Sequence, residues 1–338
     1  MEEKKTIHWR RWVLLALMIV GFIAAGVLPP VSPEITVAPE KLIEQPVFTL
    51  PVIGPIYLVN TLPPLFVAVV LIAILAYFTN RSMKRSSETD LVPRGVGNAM
   101  EAIFEMIYNL TESSAGAKWA SRIFPWFATI LFYVLMVNLI RLIPGFESVG
   151  ILRHATGEGF GTAQLGASNW FFQVPPKVES GGFVLVPFAR GPSLDLNFTF
   201  ALAAVSVVMT QVIGFRALGV GYLSKFFNFT TMFKMPFFGA MDFLVGLLEL
   251  ISELAKILSF AFRLFFNMFA GMILVAVVAV LLARLTIVSG MLYMFELFVG
   301  LIQAFVFGML TMVFMSNAIK GHGHEEEHAP AGAEAHEI

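Results

Sequence analysis

Continuous runs of about 20 uncharged, apolar residues constrain the fold of this chain more than any other feature. A helix of that length crosses the hydrocarbon core of a bilayer, and the runs lack the alternating pattern of a membrane β-barrel. They lie at Trp12–Pro33, within Gln45–Asn80, and at Ile123–Ile140, Leu196–Phe215, Leu264–Ala283 and Leu297–Ile319. The sequence therefore predicts an all-α, polytopic membrane protein with about five to six membrane helices.

The composition supports a membrane protein and excludes several other classes. Of the 338 residues, 57% are hydrophobic and 13% are charged, whereas soluble domains average about 25% charged residues. The net charge of −1 gives no support to nucleic-acid binding. The chain has no cysteine, which excludes disulfides and thiolate metal sites. We expect neither a cofactor nor a metal site.

ATP hydrolysis by the chain itself is also disfavoured. The sequence contains no G-x-x-x-x-G-K-[ST] loop. The glycine-rich stretch Gly157–Gly161 has no strand context, so we expect it to be an outer loop. The chain is therefore predicted not to be an enzyme.

The first two apolar runs are interpreted separately. Prolines interrupt Gln45–Asn80, so its helix is predicted from near Thr61 to near Asn80. Residues 1–28 are either a cleaved signal peptide or a retained signal-anchor helix, and the lack of a clear A-x-A cleavage site favours the retained helix. The predicted organisation is a signal-anchor helix and outer segment over 1–60, a membrane domain over 61–319, and a disordered His/Glu-rich tail over 320–338.

Basic residues near the ends of the runs predict the orientation of the helices, because short cytoplasmic loops are enriched in Lys and Arg. Residues 4–11 and the loop 80–97 each carry four basic residues, whereas the segment 31–61 carries one. We therefore assign the first two regions and the C-terminal tail to the cytoplasm, and the segment 144–195 to the outside. The predicted location is a bacterial plasma membrane.

Two segments have distinctive helical patterns. Val96–Ala117 is predicted to be an amphipathic helix on the cytoplasmic face. Its apolar stripe consists of Ala99, Ile103, Met106, Ile107 and Leu110. Phe237–Ala283 contains no proline and would make a helix of roughly 70 Å, which has to tilt steeply or break to fit a bilayer. We expect the last two membrane helices to form a long, tilted hairpin.

Charged residues occur in the last third of the chain, where membrane helices should be most apolar. Pro236–Ile319 contains Asp242, Glu249, Glu253, Lys256, Arg263, Arg284 and Glu296. A charge at the centre of a membrane helix costs about 2.5–3.5 kcal/mol on the mildest scale, so such residues are usually functional. Residues that step by three or four positions share one helix stripe. These are Glu249, Glu253, Lys256, Phe260, Arg263 and Asn267.

Each polar residue also has a structural interpretation. Arg263 could be buried against Glu253 or another internal acid. Glu253 and Lys256 could form an ordinary pair three residues apart on one helix. Glu296 could extend toward water at the nearby helix end, and Gln303 could make an interhelical hydrogen bond. The residues alone leave these alternatives open.

Four motifs resemble those of subunit a of F-type ATP synthases. Residues 258–271 (LSFAFRLFFNMFAG) are similar to the family pattern S-x-x-x-R-L-F-x-N-x-x-A-G, and residues 301–316 (LIQAFVFGMLTMVFMS) to L-Q-A-F-[IV]-F-x-x-L-T. Upstream, residues 137–144 (VNLIRLIP) resemble N-L-x-x-L-[IL]-P, and residues 192–199 (PSLDLNFT) resemble P-[ST]-x-[DN]-[LVI]-N-x-T. Because the four occur in the family order over about residues 57–319, the resemblance is specific.

The resemblance implies an ion-translocating stator subunit beside a ring of c subunits, whose carboxylates protons reach through two offset half-channels. The family's essential arginine falls on Arg263. Its glutamine and asparagine fall on Gln303 and Asn267, and the acid of its cytoplasmic half-channel falls on Glu249. The implied partners are the c ring, the b-subunit peripheral stalk, the whole synthase complex and the lipid bilayer.

Two departures from the family pattern bear on these expectations. Met272 stands where the family carries a carboxylate or histidine, which leaves Glu296 as the candidate for the outer proton relay. Phe266 stands where glycine is common. Secondary candidates come from the motifs and the polar stripe, and they are Asn138, Asp195, Asp242, Glu253, Lys256 and Ser259.

Two other functional classes are alternatives. A secondary transporter would use Arg263 to bind an anionic substrate, but it predicts internal repeats with broken helices, and the sequence has no such repeat. A purely structural membrane anchor would leave the polar stripe unexplained. The tail histidines His322, His324 and His328 are expected to lie in a solvated segment. We therefore predict an ion-translocating subunit that couples proton flow to rotation.

Overall fold

The chain forms six α-helices in the part that the structure describes. The computed structural model describes residues 38–320, with gaps at 52–53, 90–94, 144–145, 156, 165, 168–170, 180, 227–235 and 282–285, together with residues 12, 16 and 19. The predicted signal-anchor helix and His/Glu-rich tail lie outside the described residues. The helices are α1 Leu62–Thr89, α2 Val96–Ala115, α3 Ala117–Arg141, α4 Leu196–Leu218, α5 Pro236–Leu281 and α6 Thr286–Lys320.

Every helix except α2 is long and apolar enough to cross a membrane. Within the described residues the candidate spans are Leu62–Lys84, Ala117–Arg141, Leu196–Leu223, Leu244–Val278 and Met291–Lys320. Each overlaps an apolar run of the sequence. With 46 residues at about 1.5 Å each, α5 is about 69 Å long. The predicted fold class, a polytopic all-α membrane protein, is confirmed, whereas the tilt of α5 and α6 in a bilayer stays a prediction.

Two small regions of β-structure connect the helices, and the helical pattern did not predict them. Before α1, β1 (Phe48–Leu50) pairs with β2 (Gly54–Ile56) in an antiparallel hairpin. Between α3 and α4, four strands form an antiparallel sheet in the order β3-β6-β4-β5. They are β3 (Gly150–His154), β4 (Gly159–Gln164), β5 (Phe171–Val178) and β6 (Phe183–Pro187).

The glycine-rich stretch 157–161 is only partly a loop, because its last three residues lie in β4. A close backbone approach explains Gly159. A Cβ atom on Gly159 would lie 2.5 Å from the carbonyl carbon of Gly182, the residue directly before β6. Glycine in a strand often marks such a place, because it has no side chain to separate the two backbones. The expectation of a loop without strand context is therefore wrong.

The chain divides into two compact units, each assembled from three stretches. Unit 1 comprises residues 1–73, 133–199 and 263–304, and unit 2 comprises 74–132, 200–262 and 305–338. The core of unit 1 is formed by Ala68, Val137 and Ile140, with Tyr133 and Phe198 packed against it. The sequence-based domains 1–60, 61–319 and 320–338 stay a prediction.

Unit 2 has a larger core, to which four helices contribute. Its buried members are Ile107, Ile123, Phe127, Leu131, Ile213, Met312 and Met315. Gly308 lets α6 approach α3 in this core, since a Cβ atom there would lie 2.9 Å from Phe127 Cε2. The buried hydroxyls of Ser206 and Thr311 bond each other at 2.7 Å.

The predicted amphipathic helix corresponds to α2. It ends at Gly116, whose φ of 77° is a left-handed conformation that glycine adopts without strain. Ile107 is buried in unit 2, whereas Ile103 and Met106 are 37% and 59% exposed. Thus only one edge of the predicted apolar stripe packs against protein. The other edge leaves apolar side chains on the surface of the helix.

Candidate functional site

Arg263 lies on the exposed side of α5 and has no acidic partner among the residues that the structure describes. Its side chain is exposed, and among the described residues it makes neither a hydrogen bond nor an ion pair. Leu264, the next residue, is fully buried, so Arg263 lies away from the side of α5 that packs against protein. The alternative in which Arg263 is buried against an internal acid is therefore wrong.

The surface around Arg263 is apolar. Phe262 and Phe266, which lie beside Arg263 on the helix surface, are 36% and 55% exposed. Leu274 and Val277, which lie within about 40° of Arg263 around the helix axis at 3.6 residues per turn, are also exposed. Arg263 is therefore a cation set in an exposed apolar helix face. We call the surface formed by Arg263, Phe266, Leu274 and Val277 the Arg263 face.

The predicted polar stripe follows the border between this face and the packed side of α5. Glu253 and Phe260 are buried, whereas Arg263 and Asn267 are exposed. Steps of three and four residues rotate the side chains about the helix axis by unequal angles, so members of one stripe fall on both sides of the border. The spacing therefore placed these residues on one side of α5 but did not predict their burial.

Asn267 and Gln303 contact each other between α5 and α6. Asn267 Nδ2 donates a hydrogen bond to Gln303 Oε1 at 2.6 Å. Gln303 is buried, and its Nε2 atom has no hydrogen-bond partner among the described residues. Neither amide bonds Arg263 in this part of the chain. The interhelical interpretation of Gln303 is therefore confirmed.

A second arginine, Arg141 at the end of α3, binds the candidate proton-relay acid. Arg141 Nη2 lies 2.7 Å from Glu296 Oε1 on α6, and both side chains are 9% exposed. Arg141 Nη1 also donates to the carbonyl oxygen of Met268 at 3.3 Å, and its Nε lies 4.0 Å from Glu147. Glu296 is therefore a buried, ion-paired acid, and the interpretation in which it extends to water is wrong.

Glu296 also lines a cavity between α5 and α6. The cavity has a volume of about 300 Å³, and its other lining residues include Asn267, Gly271, Leu274 and Phe295. A space of this size has room for several water molecules, each of which occupies about 30 Å³ in the liquid. Glu296 and Asn267 are the polar side chains available to such water. We call this space the Glu296 cavity.

Asn138 and Asp195, two secondary candidates, are engaged in structural hydrogen bonds. Asn138 accepts a hydrogen bond from Ser193 Oγ at 2.7 Å and donates to the carbonyl oxygen of Gly300 at 3.1 Å. Asp195 accepts from Thr61 Oγ1 at 2.9 Å and from the backbone N–H of Asn197 at the start of α4. These contacts join separate stretches of unit 1, so both residues have a sufficient structural role.

Arg190, just before α4, is a further buried arginine in unit 1. Its Nη1 donates to the carbonyl oxygen of Ala38 at 3.0 Å. Burial lowers the pKa of Arg190, while the nearby carboxylates of Glu147, Glu40 and Asp195 oppose that shift. An arginine guanidinium stays protonated in proteins. It acts there as a fixed cation.

The remaining candidates lie on α5 within unit 2. Lys256 Nζ donates to Glu253 Oε1 at 2.8 Å, and it lies 5.0 Å from the ring centre of Phe314. The pair therefore has the ordinary helix geometry of residues i and i+3. Glu249 is half-buried and Ser259 is exposed. The side chain of Asp242 lies outside what the structure describes.

The sequence patterns do not single out Arg141, which lies inside the motif at residues 137–144. A signal was available, because Arg141 directly follows an apolar run at an end assigned to the outside, where basic residues are uncommon. Its partner could not be read from the sequence, since 155 positions separate Arg141 from Glu296. Within the described residues, no group of three or more acidic, histidine or cysteine side chains is arranged to hold a metal.

The comparisons with known proteins support the family resemblance that the motifs of the sequence indicate. The chain matches the family ATP synthase A chain over residues 64–316. It is 26% identical over 271 residues to ATP synthase subunit a of Moorella thermoacetica, covering 80% of this chain and 95% of that protein. Identity to subunit a of Helicobacter pylori (strain P12) is 27% over 257 residues, covering 75% of this chain and 90% of that protein.

A further relative has a name that specifies its ion. ATP synthase subunit a, sodium ion specific, of Propionigenium modestum is 29% identical over 225 residues. That match covers 65% of this chain and 63% of the relative. The family match includes all four motifs that surround Arg263, Gln303, Asn138 and Asp195 either wholly or in large part. The chain belongs to the ATP synthase A chain family.

Proposed function

We propose that Arg263 is the fixed cation that faces a carboxylate on the rotating c ring of an F-type ATP synthase. The observation that carries the proposal is the exposure of Arg263 on an apolar helix face without an acidic partner among the described residues. An arginine facing lipid at mid-membrane would cost about 2.5–3.5 kcal/mol or more. A carboxylate on a neighbouring protein removes most of that cost.

Two buried acids of the described helices are already ion-paired, which supports an external partner for Arg263. Glu296 is bound by Arg141, and Glu253 is bound by Lys256. The apolar residues of the Arg263 face suit contact with another membrane helix, since such faces pack by shape in a lipid environment. The Arg263 face is therefore the proposed surface for the c ring.

The charge of Arg263 explains how such a contact would drive ion exchange. A guanidinium stays protonated in proteins, so it does not itself carry the proton. An opposite charge nearby favours the ionised form of a carboxylate, so a protonated ring site approaching Arg263 would release its proton. The same cation would keep the two half-channels separate. One proton moved through 100 mV supplies about 2.3 kcal/mol.

The two half-channels are proposed to approach Arg263 from opposite directions along α5. The Glu296 cavity supports the outer one, because it places a buried acid and room for water beside Asn267. Glu249, half-buried and more than three helical turns before Arg263, supports the cytoplasmic one. In this proposal Gln303 and Asn267 shape the site between α5 and α6 without neutralising Arg263.

The setting of the chain follows from the same proposal. It would be a non-catalytic subunit of the whole synthase, beside the c ring and the b-subunit peripheral stalk, in a bacterial plasma membrane. The lack of a phosphate-binding loop supports the absence of ATP chemistry in this chain. Basic residues in 80–97 support a cytoplasmic position for that loop and for the segment after α6.

In this proposal the transported ion is H⁺, the ion that the resemblance to subunit a of F-type ATP synthases implies. The name of the Propionigenium modestum relative makes Na⁺ the specific alternative. The purified synthase in lipid vesicles would be supplied with ATP, and acidification of the interior would be measured with and without sodium. Acidification independent of sodium is expected. Acidification that requires its absence, together with uptake of radioactive sodium, would identify a sodium carrier.

The central experiment replaces Arg263 in the complete synthase. Arg263→Ala should assemble but lose proton-driven ATP synthesis, because nothing then displaces the proton from the ring carboxylate. Arg122→Ala is the matched control, since Arg122 is an exposed arginine on α3 that stacks on Trp119 in unit 2. Full ATP synthesis by Arg263→Ala would falsify the proposal.

A further inference from the structure

Burying Arg141 and Glu296 together costs desolvation free energy, which is explained if the acid is needed at this position. Both side chains are 9% exposed, and both have to give up most of their hydration. Replacing a buried ion pair by well-packed apolar residues is often neutral or stabilising. Stability alone therefore does not explain why a carboxylate and a guanidinium are buried together at this place.

Several contacts hold the guanidinium of Arg141 in one position. It binds Glu296 at 2.7 Å and the carbonyl oxygen of Met268 at 3.3 Å, and Glu147 lies 4.0 Å away. Its aliphatic stem lies against Gly191, where a Cβ atom would come within 2.7 Å of Arg141 Cδ. The arginine is thus oriented from both ends, by acceptors at its head and by a backbone at its stem.

The carboxylate of Glu296 lies between this guanidinium and the Glu296 cavity. A Cβ atom on Gly271 would lie 3.2 Å from Glu296 Oε1, so α5 approaches the carboxylate closely on that side. Glu296 itself lines the cavity together with Asn267. Among the described residues, Arg141 is the charged residue that contacts Glu296. Glu147 lies near Arg141 on the other side.

Building on the proposed function, we propose that Arg141 is the positioning residue of Glu296. Arg141 supplies the counter-charge with which this acid is buried, and it fixes the carboxylate at one point on the cavity wall. The functional unit of the outer half-channel is then the pair and not Glu296 alone. Met272, which is half-buried on α5, supplies no charge, so the cation comes from α3.

Proton transfer at this pair leaves Arg141 unchanged. A proton from water in the cavity would form one O–H bond on the Glu296 carboxylate, and one O–H bond of the hydronium ion would break. The guanidinium keeps all its protons and retains the Met268 carbonyl as an acceptor, with the Glu147 carboxylate 4.0 Å from its Nε. When the proton leaves, the ion pair is restored in the same geometry. Arg141 therefore acts through Glu296 and does not carry the proton.

The test compares five variants of the complete synthase in inverted membrane vesicles. They are Arg141→Met, Glu296→Gln, the double variant of both, Arg141→Lys and Gly191→Ala. Arg153→Met is the matched control, because Arg153 lies in the same unit and also donates to a backbone carbonyl, that of Leu42. Two quantities are measured: the amount of assembled complex, and passive proton flux through vesicles stripped of the ATPase sector.

The positioning role predicts that assembly and flux respond differently. Arg141→Met should lower the assembled amount, since it leaves Glu296 buried without its cation. The double variant should recover assembly while its flux per complex stays several-fold below that of the unmodified protein. Arg141→Lys should recover part of the flux. Gly191→Ala, which moves the arginine stem without changing any charge, should also lower the flux per complex.

Three results would overturn the inference. The first is normal flux per complex in Arg141→Met or Gly191→Ala. The second is a double variant that recovers assembly and flux together, which would make the pair purely structural. The third is a failure of all five variants to assemble, which would also make the pair purely structural. The Arg263→Ala experiment remains independent: a loss of ATP synthesis there, combined with any of these results, rejects the role of Arg141 alone.

Discussion

Asn267 donates a hydrogen bond of 2.6 Å to Gln303, which ties α5 to α6 one helical turn after Arg263. Gln303 is 3% exposed, yet its Nε2 atom has no acceptor among the described residues. An unpaired buried donor costs about 1–3 kcal/mol. A buried glutamine at this position therefore lowers the folding stability of this chain. We interpret its unpaired N–H groups as donors to water or to a carboxylate of the proposed c ring.

Replacing Gln303 by leucine should reduce ion transport without preventing assembly. Gln303→Leu removes both the acceptor for Asn267 and the free N–H groups, but the exposed Asn267 can bond to water instead. ATP-driven proton pumping per assembled complex should fall several-fold. Gln211→Leu is the control, since Gln211 accepts a hydrogen bond from Tyr222 on another part of the chain. Equal pumping in the two variants would contradict the expected role.

Lysine should not replace Arg263 in function, although it preserves the charge in water. Lysine shifts its pKa readily when it is desolvated and presents a compact ammonium, whereas arginine stays charged and presents a planar fork. Arg263→Lys should therefore assemble normally and lose most proton-driven ATP synthesis. Arg122→Lys serves as the control on an exposed arginine. Near-normal synthesis by Arg263→Lys would show that any cation at this position is sufficient.

Asn138 should contribute to stability more than to transport. Asn138→Ala leaves the Ser193 hydroxyl without its acceptor and the Gly300 carbonyl without its donor. Each such loss in a buried place costs about 1–3 kcal/mol. We expect the melting temperature of the purified synthase membrane sector to fall, with transport per folded complex retained. Asn109→Ala, at an exposed position on α2, should leave the melting temperature unchanged; an equal fall there would reject the assignment.

Gly308 should be intolerant of even one added methyl group. Its Cβ atom would lie 2.9 Å from Phe127 Cε2 and 3.1 Å from Leu131 Cβ in the core of unit 2. Overpacking of this kind costs about 1–3 kcal/mol. Gly308→Ala should lower the melting temperature, and Phe127→Leu combined with it should recover part of the loss. Gly157→Ala is the control, because nothing lies within 4 Å of a Cβ atom there.

The membrane helices and the family motif around Arg263 were accessible from the sequence. Each apolar run depends on local composition, so α3 and α4 were located to within a few residues at most ends. The motif around Arg263 is likewise local. By contrast, the sheet between α3 and α4 escaped prediction because its strands are short and rich in glycine and proline, which carry little alternating hydrophobicity.

Burial of the polar residues was decided by neighbours that are distant in the chain. The stripe on α5 placed Glu253 and Arg263 on one side, yet Glu253 is buried and Arg263 is exposed. Helical spacing defines only the angle at which a side chain leaves the axis of its own helix. The positions of the surrounding helices determine which of those angles face protein. The same reason explains why Ile103 and Met106 of α2 are exposed.

The sequence by itself determined that this chain spans a membrane, that charges interrupt its last two helices, and that Arg263 lies in the motif of the ATP synthase A chain family. These properties depend only on residues that are close together in the sequence. Only the tertiary structure decided which arginine pairs with an internal acid. Among the described residues, Arg141 pairs with Glu296 whereas Arg263 pairs with no acid. An ion pair requires two charges to meet within about 4 Å, and only folding brings such distant positions together.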